Sequence, residues 1–413
     1  MSEPTFFISA GEASGEHYGA LLIAALQARL HSIGQSASFY GMGGDRMAAA
    51  GLNPGLNPGF DRIVRSEDMA VMGITEVLHH LPRIYCEFRK LKSAIRRRPP
   101  SVAILIDFPD IHFRLAAQLH RLGVPVLFFV SPQLWAWKKH RIKLVQKYVD
   151  EMLVIFPFEE QFYLDHGVRA RFVGHPLADL PLPSISRADF ALQHQLDPTL
   201  PWIGLLPGSR AREIRDNLPE ILRAADLLLR DRGPAQFLIP LAPTLTAAQR
   251  AMTTQLVGQL GQNLTVRFTG DARATLHHAR ASVVASGTAT VEAALIGNPF
   301  VVVYRVSPLT YAIAQRVVTV PHVAMANLIA GRRAVPELIQ GDFTAANIVL
   351  HLAPLLPDGS PRQSMMQDLA RIRALLALHP PQGQPAASAV DRVATIALAY
   401  AGLASPLQES VSS

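Results

Sequence analysis

Twice along the chain, short runs of aliphatic residues alternate with longer stretches of helical pattern, and this alternation restricts the fold more than any other feature. The first series reads as strands at Thr5–Ala10, 102–107, 124–130 and 152–156, with helices at 19–30 and 113–122. The second reads as strands at Trp202–Leu206, 236–239, 265–268, 282–285 and Phe300–Tyr304, with helices at 213–230 and Thr288–Ile296. Such alternation builds βαβ units. Their parallel strands are covered on both faces, so they read as unbroken apolar runs. An α/β chain with two doubly wound, Rossmann-like lobes is expected. The segment Gly174-His-Pro-Leu-Ala-Asp-Leu-Pro-Leu-Pro-Ser184 holds three prolines and reads as the linker between them. A last helix, at 389–401, is free to join either lobe.

Composition excludes several classes. With 49% hydrophobic and 17% charged residues in 413, the chain has too much apolar content for intrinsic disorder. The single cysteine, Cys86, excludes a disulfide framework and a cysteine-based zinc site. No segment approaches the ~18 consecutive apolar residues of a membrane span, and the acidic start does not suit a secretory leader, so a cytoplasmic location is expected. The net charge is +7, and all six lysines fall between Lys90 and Lys147. Arg83, Arg89, Lys90, Lys92, Arg96, Arg97 and Arg98 form one basic cluster; Lys138, Lys139, Arg141, Lys143 and Lys147 form another. Clusters of this kind attract nucleic acid, anionic lipid headgroups or phosphorylated substrates, or are simply solvated helix faces.

In open α/β sheets, ligands bind beyond the carboxyl ends of the strands. The loops there are the candidates. After the first strand come Gly11, Ser14, Gly15 and Glu16, a glycine-containing turn into a helix that suits close backbone approach and an anion. After the strand ending at Asp107 comes Phe108-Pro109-Asp110. One of these two aspartates is expected to cap the next helix and the other to be free for proton transfer. After Trp202–Leu206 come Gly208, Ser209 and Arg210, which offer backbone donors and a guanidinium to phosphate. After the strand at 282–285 come Ser286, Gly287 and Thr288, with Glu292 one turn further on and suited to ribose hydroxyls. There is no Gly-x-x-x-x-Gly-Lys-Ser/Thr loop, no His-Glu-x-x-His and no Asp-x-Asp pair for a divalent cation, so no metal and no cofactor is expected. A nucleotide-linked substrate fits this set of loops.

The segments Glu67-Asp-Met-Ala-Val-Met-Gly73-Ile-Thr-Glu76-Val-Leu, Ile106-Asp-Phe-Pro-Asp110, Val130-Ser-Pro-Gln-Leu-Trp135-Ala-Trp137, Phe156-Pro-Phe-Glu159, Phe172-Val-Gly-His175-Pro-Leu, Leu206-Pro-Gly-Ser-Arg210, Ala285-Ser-Gly-Thr-Ala289 and Asn327-Leu-Ile-Ala-Gly331-Arg, taken in order, resemble the lipid-A-disaccharide synthases. Glu16, where that family usually has Asp, and Met325-Ala326, where Leu-Pro is common, are departures. The resemblance implies a GT-B fold, with two Rossmann-like domains facing a cleft and a C-terminal helix returning to the first. Residues 1–178, joined by 386–405, would form the acceptor and lipid side; residues 179–375 would bind the UDP-sugar. It implies a metal-independent, inverting hexosyltransferase of lipid A (lipopolysaccharide) biosynthesis. That enzyme condenses UDP-2,3-diacylglucosamine with 2,3-diacylglucosamine 1-phosphate (lipid X) at the inner membrane.

The chemistry of inversion needs one base for the acceptor hydroxyl. Asp110 is assigned that role as the aspartate expected to lie deeper, with Asp107, Glu16 and Asn327 in support. Met69, Val71, Met72, Ile74, Val77 and Leu78 form an apolar stripe for acyl chains or an ordinary piece of core. The basic clusters would face an anionic membrane, and no nucleic-acid partner is expected. The alternatives are another GT-B enzyme on UDP-sugars, such as a UDP-N-acetylglucosamine 2-epimerase or a peptidoglycan-type transferase, and a basic nucleic-acid-binding protein.

Overall fold

The computed structural model describes residues 3–50, 59–69, 74–137, 139–242, 245–307, 311–312, 320–378 and 387–403, without the side chains of residues 13 and 74–81. The chain divides into two compact units, Met1–Asp179 with Leu378–Ser413, and Leu180–Ala377.

In the first unit, β1 (Thr5–Ala10), β2 (Ser38–Gly43), β3 (Asp61–Arg65), β4 (Val102–Ile106), β5 (Val126–Phe129), β6 (Glu151–Val154) and β7 (Ala170–Phe172) form a parallel sheet in the order β3-β2-β1-β4-β5-β6-β7. In the second, β8 (Trp202–Leu206), β9 (Gln236–Pro240), β10 (Thr265–Thr269), β11 (Ala281–Ala285), β12 (Phe300–Tyr304) and β13 (Glu337–Ile339) form a parallel sheet in the order β10-β9-β8-β11-β12-β13. The strand order reverses between β1 and β4 in one sheet and between β8 and β11 in the other. Register keeps the strand ends level at both places. Ala10 pairs with Ile106, which pairs with Phe129; Leu206 pairs with Val284.

The helices that cross over these strands include α1 (Ala13–Ser32), α2 (Asp45–Ala49), α3 (Ile74–Arg97), α4 (Pro109–Arg121), α5 (Ile142–Tyr148), α6 (Pro157–Leu164), α7 (Arg187–His194), α8 (Ala211–Arg232), α9 (Ala247–Leu260), α10 (Ala272–His278) and α11 (Thr288–Ile296). Their apolar faces set the layers. In α1, Tyr18, Leu22, Leu26 and Leu30 recur every four residues and are all buried, which seats the helix on β1 and β4. Burying each such side chain contributes roughly 1.5–3 kcal/mol.

Several sequence readings shift. α1 starts at Ala13, with the Glu16 amide donating to the Glu12 carbonyl, so Ser14, Gly15 and Glu16 lie in a first helical turn rather than in a glycine loop. β2, β3, β7 and β13 have no strong signature in the sequence. Three of them are short edge strands, and β3 (DRIVR) carries charge at every polar position, as exposed sheet edges do. The proline segment is only half a linker. His175, Pro176 and Leu177 are buried in the first unit, around a 3₁₀ turn at Pro176–Ala178.

The helix Ala389–Tyr400 belongs to the first unit. It packs on α1, the Ala389 amide donates to Asp179 at 2.7 Å, and the Tyr400 hydroxyl donates to Glu151 at 3.0 Å.

Candidate active site

Four of the expected loops follow β1, β4, β8 and β11, the strands that flank the two order reversals. This is where open α/β sheets hold ligands.

On the first unit, Asp107 and Phe108 follow β4 with φ of 52° each, two consecutive non-glycine residues in the left-handed region. Pro109 at the first turn of α4 disfavours the right-handed helical conformation for Phe108. The Phe108 ring lies over Gly11, where an added Cβ would sit 2.3 Å from its Cγ. Packing against Phe108, rather than approach of a ligand, is therefore what requires glycine at position 11. At Gly15 an added Cβ would meet Ile106 at an ordinary 3.5 Å, so close packing does not demand glycine there.

The positions of the two aspartates are the reverse of the sequence reading. Asp110 is the outer one. Its side chain is 70% exposed and pairs with Arg141 at 2.6 Å. Asp107 is the inner one. Burial, and then the nearby Glu12 carboxylate, push it up to about 6, against the pull of the Phe108 amide. Neither caps α4, whose N-cap is Phe108 without a side-chain bond.

The Glu12 carboxylate, on the loop after β1, thus acts on Asp107, on the loop after β4, an influence the sequence alone did not single out because it depends on β1 lying beside β4. Glu16 points elsewhere. It accepts the Arg46 amide at 2.8 Å and so anchors the start of α2. His112, also unforeseen, is fully buried, and burial lowers it to about 4. Its Nδ1 meets the Asp107 carbonyl at 2.5 Å and its Nε2 the Ser9 hydroxyl at 2.8 Å. Beyond β6, burial pushes Glu159 up to about 7. It accepts the Trp135 indole N–H at 3.0 Å and the Phe156 amide at 3.2 Å, which fixes the Ser131–Trp135 turn.

On the second unit, Gly208 has φ of 122°, and an added Cβ would meet the Glu213 carboxylate at 2.4 Å. The Ser209 amide, expected to face phosphate, donates instead to Glu213 Oε2 at 3.0 Å, and the Arg210 amide joins it there at 3.3 Å. A carboxylate occupies the place of an anion there. Arg210 is half exposed and 3.5 Å from Glu213. Gly287 is the N-cap of α11 with φ of 152° and no side-chain bond; Ser286 precedes it and Thr288 opens the helix. Burial raises Glu292, and the neighbouring Arg273 pulls it back.

Asn327 is buried and saturated. Its amide donates to Val335 and Glu337 at 2.9 and 2.6 Å, and its oxygen accepts from Ala334 and Val335 at 2.7 and 2.8 Å. Its support is structural: it leaves no side-chain atom for a substrate.

The lipid stripe is only partly described. Met69 is core, 3% exposed, which corrects its assignment to acyl contact. Val71 and Met72 lie outside the described residues, as do the side chains of Ile74, Val77 and Leu78. In the first basic cluster, Arg83 pairs with Asp68, Lys90 with Glu87 and Arg98 with Asp61. Among the described residues, none forms an ion pair with Arg89, Arg96 or Arg97. A surface groove of about 520 Å³ runs along α3, lined by Tyr85, Cys86, Arg89, Lys90 and Arg97. In the second cluster, Lys138 lies outside the described residues and Arg141 is the partner of Asp110. Among the described residues, no three His, Cys, Asp or Glu side chains are grouped to hold a metal ion, and no helix is long and apolar enough to cross a membrane.

Solved structures with this architecture include the calicheamicin glycosyltransferase (TM-score 0.57, 16% identity, 98% of this chain and 100% of that one). Another is the UDP-GlcNAc 2-epimerase of Neisseria meningitidis bound to UDP-GlcNAc (TM-score 0.55, 11% identity, 96% and 99%). At that identity the likeness speaks for the fold alone, the two-domain GT-B architecture. Sequence narrows it further. The family model described as lipid-A-disaccharide synthetase matches residues 6–384. The lipid-A-disaccharide synthase of Acidobacterium capsulatum is 60% identical over 405 residues, 96% of each chain. That of Myxococcus xanthus is 42% identical over 374 residues, 90% of this chain and 93% of its own. The epimerase, peptidoglycan-type and nucleic-acid alternatives give way to these matches, and the chain belongs to the lipid-A-disaccharide synthase family.

Proposed function

We propose that this chain joins the sugar of UDP-2,3-diacylglucosamine to 2,3-diacylglucosamine 1-phosphate, giving the β-1,6-linked disaccharide 1-phosphate and UDP. The glycosyltransferase class follows from the family. The observation that carries the assignment of sites is the placement of the four loops at both reversals of strand order. Inversion needs a single displacement: a base takes the proton of the acceptor hydroxyl as its oxygen attacks the anomeric carbon opposite UDP.

Asp107 is the base. Its raised pKa brings it toward neutral pH, where a general base works best, and its backbone is held in place. Asp110, bound to Arg141, holds the outer end of the same turn. On the second unit the leaving diphosphate is met by Arg210, by the Gly208–Ser209 backbone once Glu213 yields it, and by the start of α11. Glu292 takes the ribose hydroxyls. In this reading no metal or cofactor is used. Arg89, Arg96 and Arg97 on α3 draw the protein to an anionic inner-membrane surface from the cytoplasmic side.

Incubation of the purified protein with radiolabelled donor and lipid X tests the assignment. A labelled disaccharide phosphate with stoichiometric UDP is the expected product. Release of UDP without disaccharide, or epimerisation of UDP-N-acetylglucosamine, would refute it.

A further inference from the structure

Two successive left-handed residues without a glycine need an external constraint, because the Cβ of each is crowded in that conformation. The chain after β4 has that constraint in His112. The His112 amide donates to the Phe108 carbonyl at 3.2 Å, while the ring lies edge-on to Phe108 and Phe128, with centroids 5.8 and 6.1 Å away.

The ring is neutral in this burial and therefore has one donor and one acceptor. The Asp107 carbonyl only accepts, so Nδ1 carries the proton, and Nε2 accepts from the Ser9 hydroxyl. The ring thus ties the carboxyl end of β1 to that of β4 at the point where strand order reverses. We infer that His112 is a positioning residue, whose Nδ1–H holds the Asp107 carbonyl in its left-handed turn and thereby aims the Asp107 carboxylate. This rests on the reading of Asp107 as the base.

Two neutral amides separate the role of each ring nitrogen. Asn places its amide near the position of Nδ1, and Gln places its amide near that of Nε2. His112→Asn keeps the bond to Asp107 and loses the one to Ser9; His112→Gln does the reverse; His112→Leu loses both. Turnover, UDP affinity by calorimetry and thermal unfolding are measured for each, beside Asp107→Asn.

The expected result is kcat lowered about 10²-fold in His112→Leu and His112→Gln, the cost of misplacing a reacting group. His112→Asn stays within a few-fold of the parent, and UDP affinity is unchanged throughout. If His112 served only to fill space, Gln would do at least as well as Asn, and Leu would suffice. Full turnover in folded His112→Leu overturns the inference. So does retention in Gln with loss in Asn, or equal loss in all three while they remain folded. If His112→Leu fails to fold, the Asn and Gln pair decides by itself. Loss of turnover in Asp107→Asn alone would leave the base reading standing and remove the positioning role. Near-normal turnover in Asp107→Asn overturns both.

Discussion

Asp107 and Asp110 are three residues apart, yet their surroundings differ in kind. One is half-buried and feels a second carboxylate, and the other is exposed beside a guanidinium. Asp107→Asn should lower kcat roughly 10²–10⁴-fold, the usual worth of a positioned base, and Asp110→Asn only a few-fold. Turnover assays on the two variants separate the roles, and collapse in Asp110→Asn alone would exchange them. The pH profile gives a second reading. A base whose pKa is raised to about 6 loses its acceptor form as pH falls through that value, so kcat/KM should drop on the acid side of 6 and plateau above it. An acid limb near the ordinary carboxylate value, about 4, would count against Asp107. On the second unit, Arg210→Ala should weaken UDP binding roughly tenfold to a hundredfold, as for a lost hydrogen bond to a charged group. Calorimetry that finds unchanged affinity would remove Arg210 from the diphosphate site.

Elements decide how these side chains are presented. The turn after β1 and the turn after β4 are one packed unit, because the Phe108 ring takes the space that a side chain at position 11 would need. Gly11→Ala is expected to destabilise by about 1–3 kcal/mol, the range for overpacking, and to lower turnover by displacing the Asp107 turn. Gly11→Ala combined with Phe108→Leu should recover part of the melting temperature. Additive losses in the double variant would show that the two positions do not share a constraint. This coupling was not legible in the sequence. Gly11 could be read there as a glycine near a strand end, but its partner lies 97 positions away and meets it only because β4 lies beside β1.

At the scale of the whole molecule, charge is the property that was already legible along the chain. Arg89, Arg96 and Arg97 are basic residues of α3 with no ion pair among the described residues, and basic residues near an anionic leaflet contribute about 1 kcal/mol each. Sedimentation with phosphatidylglycerol-containing vesicles should show binding that weakens from 0.1 to 1 M salt, as the screening length falls from about 10 to 3 Å. Equal binding to zwitterionic vesicles would rule out the electrostatic role. The sequence by itself determined the two α/β series, because strands buried on both faces must be continuously apolar, and the loops after β1, β4, β8 and β11 could be picked out because ligands gather at strand ends. It also carried the family, through ordered motifs. Tertiary structure alone decided which aspartate lies deeper, that Glu213 already occupies the backbone donors after β8, that Asn327 is saturated and that Met69 is core. Burial, neighbouring charge and hydrogen-bond saturation belong to groups brought together from distant positions, and local residue pattern does not encode them.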